Sequence, residues 1–115
     1  MTTPILTDQN FAEILMGQTT PILIDFWTEW CIPCQMLTPI LEEISQEFGN
    51  QIIIAKCNVD ENPIISSKFS IDVLPTILLI YNKKILQRFI GVQNKEIIAT
   101  SISKLFLPSN QNIPL

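Results

Sequence analysis

Two strand-length apolar runs, Ile22–Trp27 and residues 52–59, bracket a stretch in which Leu37, Ile40, Leu41, Ile44 and Phe48 recur at helical spacing. That order leaves the chain few ways to fold. A run that is apolar at nearly every position belongs in a strand covered on both faces. Residues recurring every three or four positions belong to a helix that buries one stripe. A strand, a helix and a second strand in that order make a right-handed parallel crossover. The helix is expected from about residue 34 to residue 48, with Gly49-Asn50 ending it and Pro39 kinking it.

The flanking segments complete an α/β pattern. Phe11, Ile14 and Leu15 predict an earlier helix, with Thr7 or Asp8 as its N-cap. Asn62-Pro63 reads as an N-cap followed by a proline at the first helical position, so a short helix should run to about Phe69. Thr76–Tyr81 and residues 85–90 predict two strands of a hairpin turning through Asn82-Lys83-Lys84. Asn94 should cap a last helix whose buried face is Ile97, Ile98, Ile102 and Leu105. Pro108 stops it, and residues 108–115 read as a polar tail. No repeat or linker interrupts the sequence, so residues 1–115 are expected to form one domain with a central mixed β-sheet and helices on both faces.

Composition narrows the function classes. With 47% hydrophobic residues over 115 positions, a core can form without metal or disulfide staples. A formal net charge of −4 lacks the cationic footprint needed for a phosphate backbone, which excludes nucleic acid. The first residues carry no basic segment followed by an apolar one, and the longest apolar runs are too short to cross a bilayer. The chain is therefore expected to stay in the compartment where it is made, with no membrane contact. Its many isoleucines and few alanines and glycines suit an AT-rich genome, so that compartment is expected to be a bacterial cytoplasm or a plastid stroma, and the chain is expected to be a monomer.

Cys31-Ile32-Pro33-Cys34 stands where the first long strand gives way to a helix. A bridge across so short a loop removes little chain entropy and makes a poor structural staple. Free N–H groups and the positive end of the helix dipole favour an anion there, which lowers the pKa of Cys31. Each unit of lowering is worth about 1.4 kcal/mol in favour of the thiolate. Cys34, one turn further in, should be more buried and suited to resolving a mixed disulfide. Pro33 falls in the first turn, where its missing N–H is not needed. Half of a zinc or iron–sulfur site is the competing reading, but such a site needs four ligands. The chain offers only Cys57 beyond the pair and no histidine, so no metal is expected.

Asp25 and Lys56 each interrupt an apolar strand. Adjacent parallel strands could bring them together behind the cysteines, and a buried carboxyl has a raised pKa. Asp25 then either accepts a proton from Cys34 or simply pairs with Lys56. Cys57 reads as a small hydrophobe on a buried strand, or as a regulatory thiol.

The segment Ile24-Asp25-Phe26-Trp27-Thr28-Glu29-Trp30-Cys31-Ile32-Pro33-Cys34, followed by Pro39, resembles the active-site segment of thioredoxins. Ala55-Lys56-Cys57-Asn58-Val59-Asp60, Leu74-Pro75-Thr76 and Gly91 match that family in order and spacing, and the resemblance extends over residues 5–106. It implies a thioredoxin fold and a protein-disulfide reductase. Cys31 would attack a client disulfide, Cys34 would release the reduced product, and the Cys31–Cys34 disulfide would serve in place of any separate cofactor. Asp25 and Lys56 would form the proton relay. Pro75, preceded by Leu74, would be cis. Client backbone would pair beside Leu74, on an apolar patch of Trp30, Ile32, Pro33, Leu74, Gly91 and Val92. The implied partners are disulfide-containing proteins and a thioredoxin reductase, either flavoprotein or ferredoxin-dependent.

Three positions depart from the family's usual pattern. Ile32 replaces a glycine, and Gln35 replaces a lysine whose charge would favour the thiolate. Lys83 replaces a hairpin glycine, which predicts a strained turn or one of another type. Oxidase and isomerase relatives tend to carry histidine between the cysteines, and proline stands there instead. The alternative from another class is a thioredoxin-fold interaction module with weak or specialised redox activity.

Overall fold

Strand β1 (Ile22–Trp27) lies inside the sheet, parallel to β2 (Ile53–Asn58) and antiparallel to β3 (Thr76–Tyr81). That position explains why it is apolar on both sides. The computed structural model describes residues 3–107. Its helices are α1 (Phe11–Gly17), α2 (Ile32–Phe48), α3 (Pro63–Lys68) and α4 (Lys95–Lys104), and β4 (Lys84–Ile90) completes the sheet order β2-β1-β3-β4.

Successive strand residues point to opposite faces, and the two faces have separate cores. Leu23 packs with Leu37, Leu41, Ile44 and Phe48 of α2 and with Ile98 and Ile102 of α4. Ile22, Ile24 and Phe26 pack with Ala55, Cys57 and Ile65, bordered by Phe11, Ile14 and Leu15 of α1. Burying one such side chain contributes about 1.5–3 kcal/mol, so the α2 stripe is a main anchor of the fold. The alternation has a chemical consequence: Asp25 shares a face with Leu23 and so points toward α2.

Several local expectations change. Helix α2 begins at Ile32 rather than at Cys34, because Cys31 takes the N-cap position in extended conformation, and it runs as one element through Pro39. Gly49 ends it at φ +54°, a conformation that costs glycine little. Neither Thr7 nor Asp8 caps α1; the N-cap position is Asn10. Thr7 and Asn10 instead bond each other, Thr7 N–H to Asn10 Oδ1 at 2.8 Å and Asn10 N–H to Thr7 Oγ1 at 3.2 Å. The Asp8 carboxylate accepts the Ile64 and Ile65 N–H groups at 3.1 and 2.8 Å, capping α3 from far along the chain. Asn62 holds the N-cap position of α3 without capping it; its side chain accepts the Asp8 N–H at 2.9 Å and donates to the Asn58 carbonyl at 2.9 Å. Asn94 likewise makes no side-chain cap to α4.

The hairpin loop is two residues, since Lys84 already pairs with Tyr81. Asn82 and Lys83 have φ of 57° and 64°, the two left-handed residues of a type I′ turn. Ile97 is 48% exposed, because α4 turns Ile98, Ala99, Ile102 and Leu105 toward the core and leaves Ile97 outside that stripe. An unforeseen segment borders β2. Leu6 N–H bonds the Lys56 carbonyl at 2.8 Å and Lys56 N–H the Pro4 carbonyl at 3.0 Å, with Ile5 and Lys56 in parallel register. The expected stop at Pro108 and the tail 108–115 lie outside the described residues.

Candidate active site

The carboxyl end of β1 leads through Thr28-Glu29-Trp30 into α2, so Cys31 and Cys34 sit on the first turn of that helix. They are joined by a disulfide, with Cα atoms 5.3 Å apart. Cys31 Sγ accepts the Cys34 N–H at 3.2 Å, so one otherwise free amide of the helix N-terminus points at this sulfur. Pro33 occupies the first turn, as expected. Cys34 was expected to be the more buried of the two, yet both are 4% exposed, because in the disulfide they share one position under the surface. The spaces beside them differ.

Cys31 lines a groove with Trp30, Ile32, Pro33 and Leu74. Trp30 and Ile32 stand 70% and 69% exposed, a costly exposure for large apolar side chains unless a partner covers them. The Trp30 indole N–H donates to Asp60 Oδ2 at 2.8 Å, which fixes the ring beside the cysteines. Val59, Ile71 and Asp72 also line this groove and were not foreseen. The rule that α/β sheets bind ligands beyond the carboxyl ends of their parallel strands points to Val59, which follows β2. Nothing local marks Ile71 or Asp72.

The Leu74-Pro75 bond is cis. Pro75 is buried, and its carbonyl accepts the Gly91 N–H at 2.8 Å. Gly91 has φ +78°, the left-handed region that suits a residue without Cβ. Pro75, Gly91 and the exposed Val92 thus form a neighbouring unit rather than part of the groove beside Cys31.

Cys34 lines a second cavity, of about 260 Å³, with Asp25, Thr28, Thr38 and Lys56. Asp25 and Lys56 are in direct parallel register, as the two apolar strands suggested. Burial pushes the Asp25 carboxyl up to about 6, against the pull of the Lys56 ammonium. The free thiol, Cys57, points to the opposite face of the sheet, where burial and the Asp8 charge push it up to about 12. Among the described residues, no group of three His, Cys, Asp or Glu could hold a metal ion, and no helix is long and apolar enough to cross a membrane.

A mixed sheet between two helical layers, with a Cys-x-x-Cys disulfide where a central strand meets a helix and a cis-proline bond in the chain, defines the class of thioredoxin-fold domains. The thioredoxin family model matches residues 2–104, and the chain belongs to that family. It is similar to the thioredoxin of Buchnera aphidicola subsp. Acyrthosiphon pisum, 53% identical over 58 residues, which is 50% of this chain and 54% of that protein. It is also similar to that of Rickettsia bellii, 50% identical over 58 residues, covering 50% and 55%. That of Alicyclobacillus acidocaldarius is 48% identical over 61 residues, covering 53% and 57%. The chain spans about half the length of the curated relatives it matches.

Proposed function

We propose that this chain reduces protein disulfides by dithiol–disulfide exchange. The observation that carries the reading is the Cys31–Cys34 disulfide at the N-terminus of α2, with one sulfur beside an open apolar groove and the other beside a buried carboxyl. In the reduced protein, the Cys34 amide and the helix dipole favour a thiolate at Cys31. That thiolate attacks one sulfur of a client disulfide, forming a mixed disulfide and releasing the first client thiolate, which takes a proton from solvent. Cys34 gives its proton to Asp25 and attacks Cys31 Sγ. The Cys31–Cys34 bond forms, and the second client sulfur leaves and is protonated. Two electrons have passed from the dithiol to the client, and the disulfide itself is the electron carrier.

Trp30, Ile32, Pro33 and Leu74 supply the apolar floor for the client, whose backbone pairs beside Leu74. Pro75, Gly91 and Val92 extend that patch. Lys56 holds the charge of ionised Asp25. Gln35 leaves the thiolate without a cationic neighbour at that position, and Ile32 narrows the range of clients that fit. A thioredoxin reductase, flavoprotein or ferredoxin-dependent, returns two electrons to the disulfide. Such a cycle belongs in a reducing compartment, the bacterial cytoplasm or plastid stroma. The chain works as one domain and as a monomer, with no metal.

The test is insulin reduction by dithiothreitol, followed as turbidity. The protein should accelerate it, Cys31→Ser should abolish the acceleration, and Cys34→Ser should accumulate mixed disulfide. No acceleration by the unsubstituted protein overturns the reading and leaves an interaction module.

A further inference from the structure

Buried polar atoms are almost always hydrogen-bonded, so each exception calls for a reason. Asp25 Oδ1 and Thr28 Oγ1 are such exceptions among the described residues: both are buried, and neither has a hydrogen-bond partner in the protein. Each residue is only 1% exposed. Both line the cavity that also touches Cys34, Thr38 and Lys56. A space of about 260 Å³ holds several water molecules, and a water in a polar site needs two or more polar partners. The two orphaned oxygens supply them.

We propose that Thr28 is a positioning residue whose hydroxyl holds a water against Asp25, and that this water carries the proton from Cys34 to the carboxylate. The proposal rests on the disulfide-reductase reading. In the resolving step, the Cys34 thiol gives its proton to the water, and the water gives one to Asp25 Oδ1. The Cys34 thiolate then attacks Cys31 Sγ, and the electron pair of the broken bond leaves on the client sulfur. The proton on Asp25 returns along the same water to the client thiolate or to solvent. No outside oxidant or reductant enters. This cavity lies beside Cys34, whereas the apolar groove lies beside Cys31, so a docked client leaves the proton route open.

The charged and titratable groups facing Asp25 are Lys56 on β2, Glu29 in the loop after β1 and Cys34 on α2, while its partner on β3 is Ile77. Of these, Lys56 favours the ionised carboxylate from a fixed place. Thr28 adds the hydrogen bond that a bare cavity would not provide.

The experiment compares Thr28→Val, which keeps the shape and removes the hydroxyl, with Thr28→Ser, which keeps the hydroxyl. The Asp25 carboxyl carbon is titrated by NMR in the oxidised protein, and the pH profile of the resolving step is measured in single turnover from a mixed disulfide at Cys31. Losing a hydrogen bond to the charged form should raise the Asp25 midpoint by about one pKa unit in Thr28→Val, a tenfold change in ionisation constant. The acid limb of the resolving step should move up by the same amount, and Thr28→Ser should restore both. A Thr28→Val midpoint within about 0.2 unit of the unsubstituted protein, well under the expected tenfold effect, overturns the proposal. So does a serine variant that behaves like valine. Turnover without a shift strikes down the role of Thr28, whereas a shift in a protein that never reduces a disulfide strikes down the reductase reading.

Discussion

Asp25 is buried on the α2 side of the sheet, and its carboxyl is pushed from an ordinary 3.8 up to about 6. That displacement is also a statement about stability, because the unfolded chain titrates at the ordinary value. Below about pH 4 the carboxyl is protonated in both states and costs nothing. As pH rises from about 4 toward 6, the unfolded chain gives up the proton while the folded protein keeps it, so stability falls. Above 6 the folded carboxyl is ionised as well, and the loss levels off. A shift of about two units corresponds to roughly 3 kcal/mol. Asp25→Asn keeps the shape and removes the titration. It should therefore be more stable than the unsubstituted oxidised protein by about 3 kcal/mol at pH 8, and by little at pH 4. For a domain of this size, that is a rise in Tm of roughly 10–20 °C. Urea unfolding of both proteins at pH 4, 5.5, 7 and 8 reads the difference, and other titrating groups cancel in it. A difference that stays constant within about 0.5 kcal/mol across that range would show that Asp25 titrates like an exposed carboxyl. The proton-acceptor role would fall with it. The same variant should slow the resolving step, so stability and activity oppose each other at this residue.

Asp8→Ala removes two backbone bonds at the start of α3 and should cost about 1–2 kcal/mol in urea unfolding, although the residue lies far from α3 in sequence. Cys57 should resist a thiol reagent in the native protein and react fully once denatured, because its thiol is buried and pushed up to about 12. Cys57→Ser buries a hydroxyl among apolar neighbours and should cost about 1–3 kcal/mol, read as a lower urea midpoint. Lys83→Gly should stabilise the protein by about 1 kcal/mol in thermal unfolding, since Lys83 sits at φ 64°, where a side chain is strained.

Much of this protein is legible from local pattern alone. The apolar run of β1 specified a strand covered on both faces, and the stripe from Leu37 to Phe48 specified the helix packed on it, because period and burial are properties of contiguous residues. The Cys-x-x-Cys spacing and the strand–helix junction located the disulfide pair for the same reason. Lys56 beside Asp25 was within reach of the sequence because each is a charged residue inside an otherwise apolar strand, and a buried charge needs a partner; the strand pairing then sets them in register.

What tertiary structure decided were the pairings between residues distant in sequence. Asp8 left α1 to cap α3, displacing Asn62 from that task, because the two segments meet only once the sheet is closed. Ile71 and Asp72 joined the groove beside Cys31, and Thr28 came to share a cavity with Asp25, Cys34 and Lys56. Periodicity reports which face a residue takes, but it carries no information about which distant face will be opposite. That is settled by packing and loop closure together.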